Sequence, residues 1–106
     1  MERIEKLIND ELQSANKKFP LFSSWHEAYA VILEEVEEAQ DEMTMLTDAK
    51  IPNFWASIKC KSCPEKVYFE YMDVIRCFAI RAIEELIQVA AMCDKAAMSL
   101  GKEKAE

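Results

Sequence analysis

Residues 23 to 43, SSWHEAYAVILEEVEEAQDEM, carry Glu27, Glu34, Glu35, Glu37, Glu38, Asp41 and Glu42 and contain no Lys or Arg. On a helix, like charges one turn apart repel by a few tenths of a kcal/mol per pair, and solvated acidic faces normally interleave Lys four residues after Glu. A divalent cation would offset that repulsion, because hard ions such as Mg²⁺ take oxygen ligands and complete their shell with water and phosphate oxygens. The residues alone leave two readings open, a solvated face and a cation site. Glu27 stands apart, since Ser24 three residues before it makes the pair a capping box, and Glu37 lies nearer the apolar edge.

Other chemistries are poorly served. His26 is the single histidine and has Ser23 three residues before it, so the paired Glu-x-x-His of a di-iron bundle is excluded. Cys60 and Cys63, in CKSC, are half of a zinc site, but a structural site takes four ligands, and Cys77 and Cys93 supply no second C-x-x-C. All four cysteines therefore read as thiols of a reducing compartment. A net charge of -7 disfavours nucleic-acid backbones and anionic membranes as partners. MERIEKLINDEL is charged from its second residue, unlike a signal peptide, and no apolar run is long enough to span a bilayer, so a cytoplasmic protein is expected. The 106 residues, 51% of them hydrophobic, suit a single domain over 1–106.

The elements that must position the acids are helices. Gly101 is the only glycine and Pro20, Pro52 and Pro64 the only prolines, too little punctuation for many tight turns or strands. Ile4, Leu7, Ile8, Leu12, Ala15 and Phe19 recur at three- and four-residue intervals, which predicts a first helix with one buried stripe ending before Pro20. The capping box opens a second helix at Ser24 that runs to about Asp48, with Pro52 closing it. Residues 49–63 show no clear period and read as a loop with at most one short helical turn. Ser62 as cap, Pro64 and Glu65 open a long helix that runs towards Gly101 as its stop, about 55 Å at about 1.5 Å per residue, with a kink or break expected near Arg76 to Arg81. Its middle, VIRCFAIRAIEELIQVAAM, is apolar over most of its circumference, more than a lone three-helix chain can bury, so part of it is expected against a second subunit. The expectation is an all-α, antiparallel bundle of three to four helices that self-associates to a dimer or tetramer.

At about 100° per residue, Tyr29, Ile32, Leu33, Val36, Ala39 and Met43 share one side of the second helix, the expected core stripe. Glu27, Glu34, Glu38 and Asp41 line the far face with Glu35 and Glu42 on one flank. Glu34, Glu35 and Glu38 are then neighbours at three- and four-residue spacing and can converge on one point.

At these residues the chain resembles the MazG-like branch of the all-α nucleoside triphosphate pyrophosphohydrolases. EEVEE, Glu34 to Glu38, matches the family's E-E-x-x-E motif, and ANKKFPLFSSWHEAYAVILEEVEEAQDEM followed by EELIQVAAM looks like the small phage and bacterial members. Residues 49 to 69 and the C-terminal tail fall outside the resemblance. It implies hydrolysis of a nucleoside or deoxynucleoside triphosphate to the monophosphate and pyrophosphate, with Mg²⁺ or Mn²⁺ held by E-E-x-x-E and by a later E-x-x-D. By position, Glu35 and Glu38 would be metal ligands and Glu34 a further ligand or the residue that orients or deprotonates the attacking water. Glu85 matches the leading acid of the second motif. Gln88 stands where Asp is usual and could offer only a neutral oxygen to the metal. Glu70 and Asp73 fit E-x-x-D literally and are the second choice.

Phosphoryl transfer needs charge neutralisation and an oriented water, which carboxylates and a cation supply. Among the cations available to hold a triphosphate, Lys17, Lys18, Arg76 and Arg81, Arg81 is favoured for its position four residues before Glu85, which also allows an ordinary Arg81–Glu85 ion pair. Phe22, Trp25 and Tyr29 could stack on a base. The rival expectation is a catalytically degenerate helical dimerisation or regulatory module, with Gln88 as the mark of lost activity.

Overall fold

A computed structural model describes residues 1–101. Those residues form α1 (Glu2–Lys18), α2 (Trp25–Met45), a π-helical turn (Leu46–Lys50), α3 (Ile51–Lys59) and α4 (Glu65–Leu100), with no strand among them. The all-α expectation holds. None of the described helices is long and apolar enough to cross a membrane.

The chain contacts divide into two compact units, one of 1–37 with the residues from 84 on, the other of 38–83. Both α2 and α4 pass through the division without a break. In the first unit Leu12, Phe22, Ala28, Ala91, Met92 and Ala96 form the core, with Ile8, Ala15, Val31, Ile32 and Leu100 packed against it. α2 enters this unit opposite in direction to α4: the Phe22 N–H donates to Ser99 Oγ at 3.1 Å, near the far end of α4. α1 runs with α4, since Leu7 shares a groove with Glu84 while Asn16 Nδ2 lies 3.6 Å from Met98 Sδ. Ser24 caps α2 as expected. The Glu27 N–H donates to Ser24 Oγ at 3.1 Å, and Glu27 Oε1 accepts from the Ser23 N–H at 3.0 Å.

In the second unit the segment expected as a loop is helical. Pro52 sits at the start of α3 and does not stop the chain. Proline is tolerated in a first turn, where the N–H it lacks has the least work to do. The turn before it is wide, with the Ile51 N–H donating to the Leu46 carbonyl five residues back, a π-type bond that carries the backbone past the proline. α3 is held by ring contacts. Phe54 meets Tyr68 edge-on with ring centres 6.2 Å apart and Tyr71 at 5.6 Å, and the Tyr68 hydroxyl donates to the Ser57 carbonyl at 3.3 Å.

Two expectations about α4 are corrected. It is unbroken from Glu65 to Leu100, without a break near Arg76 to Arg81. Its N-terminus follows Pro64, so Ser62 lies outside the cap, and its hydroxyl is 3.3 Å from Cys60 Sγ. Gly101 follows the helix without adopting a left-handed conformation.

The core stripes are corrected as well. In α1, Leu12 is buried and Ile8 and Ala15 half-buried, but Ile4, Leu7 and Phe19 are exposed. In α2, Tyr29 is 66% exposed, and Leu33, Val36 and Met43 are exposed too. The side chains withdrawn from solvent are Ala28, Val31, Ile32, Glu35, Ala39 and Glu42, of which Ile32 and Ala39 were expected, and they centre roughly 100° around the helix from the exposed stripe. Two of the acids therefore turn inward.

Candidate metal and nucleotide site

α2 and α4 bring two of the expected ligands together. Within the first unit Glu35 and Glu85, both half-buried, each place a carboxylate oxygen within 4.8 Å of the other's, and exposed Glu38 follows Glu35 on α2. Helix geometry sets the first pair, since Glu38 follows Glu35 by about one turn of the same helix. Antiparallel α2 and α4 set the second, bringing Glu85 to Glu35 within the first unit. Two facing carboxylates, with a third one turn along the same helix as Glu35, suit a hard divalent cation, which accepts oxygen ligands and tolerates water in the rest of its shell.

Beside Glu35 the first unit opens into a cavity of about 560 Å³. Its walls include Lys18, Phe22, Glu34, Glu35, Gln88 and Lys95. The volume falls in the range of small-molecule sites, roughly 300–1,000 Å³, and the wall combines apolar surface with a few convergent polar groups. Glu34 and Lys18 are exposed and reach the cavity from α2 and α1. Gln88, one turn beyond Glu85 on α4, lines the same wall.

Two expected substrate-binding residues lie elsewhere. Arg81 reaches other groups: its Nη2 is 3.3 Å from Glu42 Oε1, and its guanidinium lies over the Phe78 ring, 5.2 Å from the centre. Trp25 is 58% exposed at the start of α2 and is not part of the cavity wall. Glu70 and Asp73, the second choice for the later acidic motif, are exposed on α4 and outside the carboxylate cluster.

The sequence reading passed over Lys95. It is 3% exposed, and its ammonium lies 4.9 Å from the centre of the Phe22 ring on the cavity wall. The attraction of a cation for the ring face helps hold the side chain there. The signal was present in the register of α4: Gln88, Met92 and Lys95 follow at four and three residues and share the face that Glu85 begins. Glu42 was also undervalued, and its inward turn gives Arg81 a partner on α2.

No family model, no curated protein and no solved structure matches the chain.

Proposed function

We propose that the chain is a divalent-cation-dependent nucleoside triphosphate pyrophosphohydrolase of MazG-like type, converting a triphosphate and water to the monophosphate and pyrophosphate. The observation that carries this reading is the convergence of Glu35 and Glu85, from two helices, beside a cavity of nucleotide size, with Glu38 one turn from Glu35 on α2. Mg²⁺ or Mn²⁺, when bound, supplies positive charge against the phosphate oxygens. Glu35, Glu38 and Glu85 would hold it, with Gln88 offering a neutral oxygen. Glu34, exposed on the cavity wall, orients the attacking water and accepts its proton. Lys95 and Lys18 place two cationic side chains along the same wall, where a polyphosphate needs them. Phe22 supplies an apolar surface within the cavity, a better position for a base than that of Trp25.

Self-association belongs to the same proposal. Tyr29, Leu33, Val36 and Met43 on α2, and Ile80, Ile83 and Leu86 on α4, leave large apolar side chains exposed in a single copy. A second copy is the occupant that would cover them. Those surfaces and the neutral Gln88 also favour one alternative, a helical dimerisation or regulatory module without activity.

The test is a screen of ribo- and deoxyribonucleoside triphosphates with Mg²⁺, measuring pyrophosphate release. Cation-dependent release of pyrophosphate as first product is expected. Orthophosphate as first product would count against the reading, and no release from any triphosphate would favour the regulatory module.

A further inference from the structure

The segment from α3 to α4 holds a pair of thiols that the nucleotide reading does not use. Cys60 ends α3, and the Cys63 N–H donates to the Cys60 carbonyl at 3.2 Å, closing a four-residue turn between them. Turns of this kind keep their end Cα atoms within about 7 Å, the span that a disulfide bridges. Both cysteines are free, with Cys60 exposed and Cys63 half-buried. The Ser62 hydroxyl is 3.3 Å from Cys60 Sγ. Lys59, Lys61 and Lys66 flank the pair in sequence, a local excess of positive charge over Glu65 in a chain that is acidic overall.

We propose that Cys60 and Cys63 are a thiol–disulfide exchange site that reacts with low-molecular-weight disulfides such as oxidised glutathione and closes reversibly as an intramolecular disulfide. Hydrogen bonds to its sulfur, from the Ser62 hydroxyl first and the Cys63 thiol second, lower the Cys60 pKa to about 7. The same contact with Cys60, with partial burial, raises that of Cys63. An exposed thiolate next to a protonated neighbour is the arrangement of an attacking and a resolving cysteine. The Cys60 thiolate attacks one sulfur of the reagent. The reagent's S–S bond breaks, one half stays on Cys60 as a mixed disulfide and the other leaves as a thiolate. Cys63 then loses its proton to solvent and attacks the Cys60 sulfur, releasing the second half as a thiolate. The two cysteines are oxidised by two electrons and the reagent is reduced to two thiols.

At pH 7 the thiolate fraction of Cys60 exceeds that of an ordinary thiol by more than about tenfold. Lower basicity returns part of that advantage, leaving an acceleration of roughly several-fold. Cys77 and Cys93, exposed on α4, are internal controls. The experiment treats the reduced full-length chain with oxidised glutathione at pH 7, quenches with acid, and maps products by intact and peptide mass. Wild type is expected to lose two hydrogens with Cys60 joined to Cys63. Cys63→Ser should accumulate one glutathione adduct on Cys60, and Cys60→Ser should react several-fold more slowly at Cys63. Equal rates in the two variants, adducts forming as fast on Cys77 or Cys93, or unreactive thiols with stoichiometric zinc retained would each overturn the proposal. The wild-type arm stands even where a variant folds poorly, and no arm depends on nucleotide hydrolysis.

Discussion

In the first unit Phe22 lies among Leu12, Ala28, Ala91, Met92 and Ala96, a core of small and aliphatic side chains beside an open cavity. In the second, Phe54 lies against Tyr68 and Tyr71, while Phe78 is flanked by Lys50 at 5.5 Å and Arg81 at 5.2 Å. The first unit buries alanines among its helices, and two of those helices present the facing carboxylates of Glu35 and Glu85 beside the cavity. Aromatic rings do the packing in the second, with cations over their faces, and there Arg81 is paired with Glu42. On the proposed reading the cavity, Glu35 and Glu85 belong to the first unit, and the second, which holds Glu38 and the Cys60–Cys63 pair, packs through rings.

The largest expected effects test that division by stability. Phe22→Ala removes a buried ring and the contact that positions Lys95, and should cost roughly 3 kcal/mol or more. Phe54 is only half-buried, so Phe54→Ala should cost about 1 to 2 kcal/mol despite losing two ring contacts. Chemical denaturation of both variants is the measurement. An equal or larger cost at Phe54 would mean that the ring cluster is the principal core.

The next effect tests it by activity. Glu85→Gln keeps the shape and nearly the helix propensity of the side chain, so the fold should survive. On the pyrophosphohydrolase reading, about 3 kcal/mol of lost charge stabilisation lowers turnover more than a hundredfold. Glu70→Gln and Asp73→Asn, in the second unit, should leave turnover within about twofold, as expected of exposed groups remote from the reaction. Gln88→Asp adds a charge to the cavity wall and should tighten Mg²⁺ binding, read as a larger thermal shift with added Mg²⁺. Turnover that survives Glu85→Gln and falls with Glu70→Gln would invert the assignment.

A smaller effect concerns the ion pair that the second unit closes on itself. Glu42 is mostly buried while Arg81 keeps about half its side chain in solvent, so Arg81→Met strands a carboxylate with a buried Oε2. The expected cost is about 1 to 2 kcal/mol, with much of it recovered in the Arg81→Met, Glu42→Gln double variant. A double variant no better than the single would show that the guanidinium contributes through Phe78 instead.

Sequence and structure part company for reasons visible in single residues. The start of α2 and the Glu35–Glu38 pair were legible because capping and one-turn spacing are local rules, whereas Glu85 came only from the family resemblance. The inward face of α2 was not legible. The expected and observed stripes share Ile32 and Ala39, but apolar size adds Tyr29, Leu33, Val36 and Met43, whereas packing within one copy adds Ala28, Val31, Glu35 and Glu42. Small residues permit close approach, and acids with facing partners can be withdrawn from water, but both conditions depend on other helices. α3 was missed because Pro52 reads as a stop until the π turn before it is known. Aromatics without a period look like loop, yet Phe54 finds its partners on α4.

The smallest effect compares two stretches that look alike in sequence. Ser24 with Glu27 and Ser62 with Glu65 share the same spacing, but only the first pair is a cap. Ser24→Ala removes the acceptor of the Glu27 N–H at the entry to the first unit's core and should cost about 1 kcal/mol, a shift of a few degrees in Tm. Ser24→Asp, which keeps an acceptor at the positive end of the helix, should restore most of it. Ser62→Ala removes no cap and should leave stability within about 0.5 kcal/mol. Its consequence is chemical: without the hydroxyl beside Cys60 Sγ, the largest cause of that thiol's lowered pKa is gone, so its reaction with oxidised glutathione at pH 7 should slow. Equal losses of stability in the two alanine variants would restore Ser62 as a cap of α4, and would place the support of Cys60 in Cys63 alone.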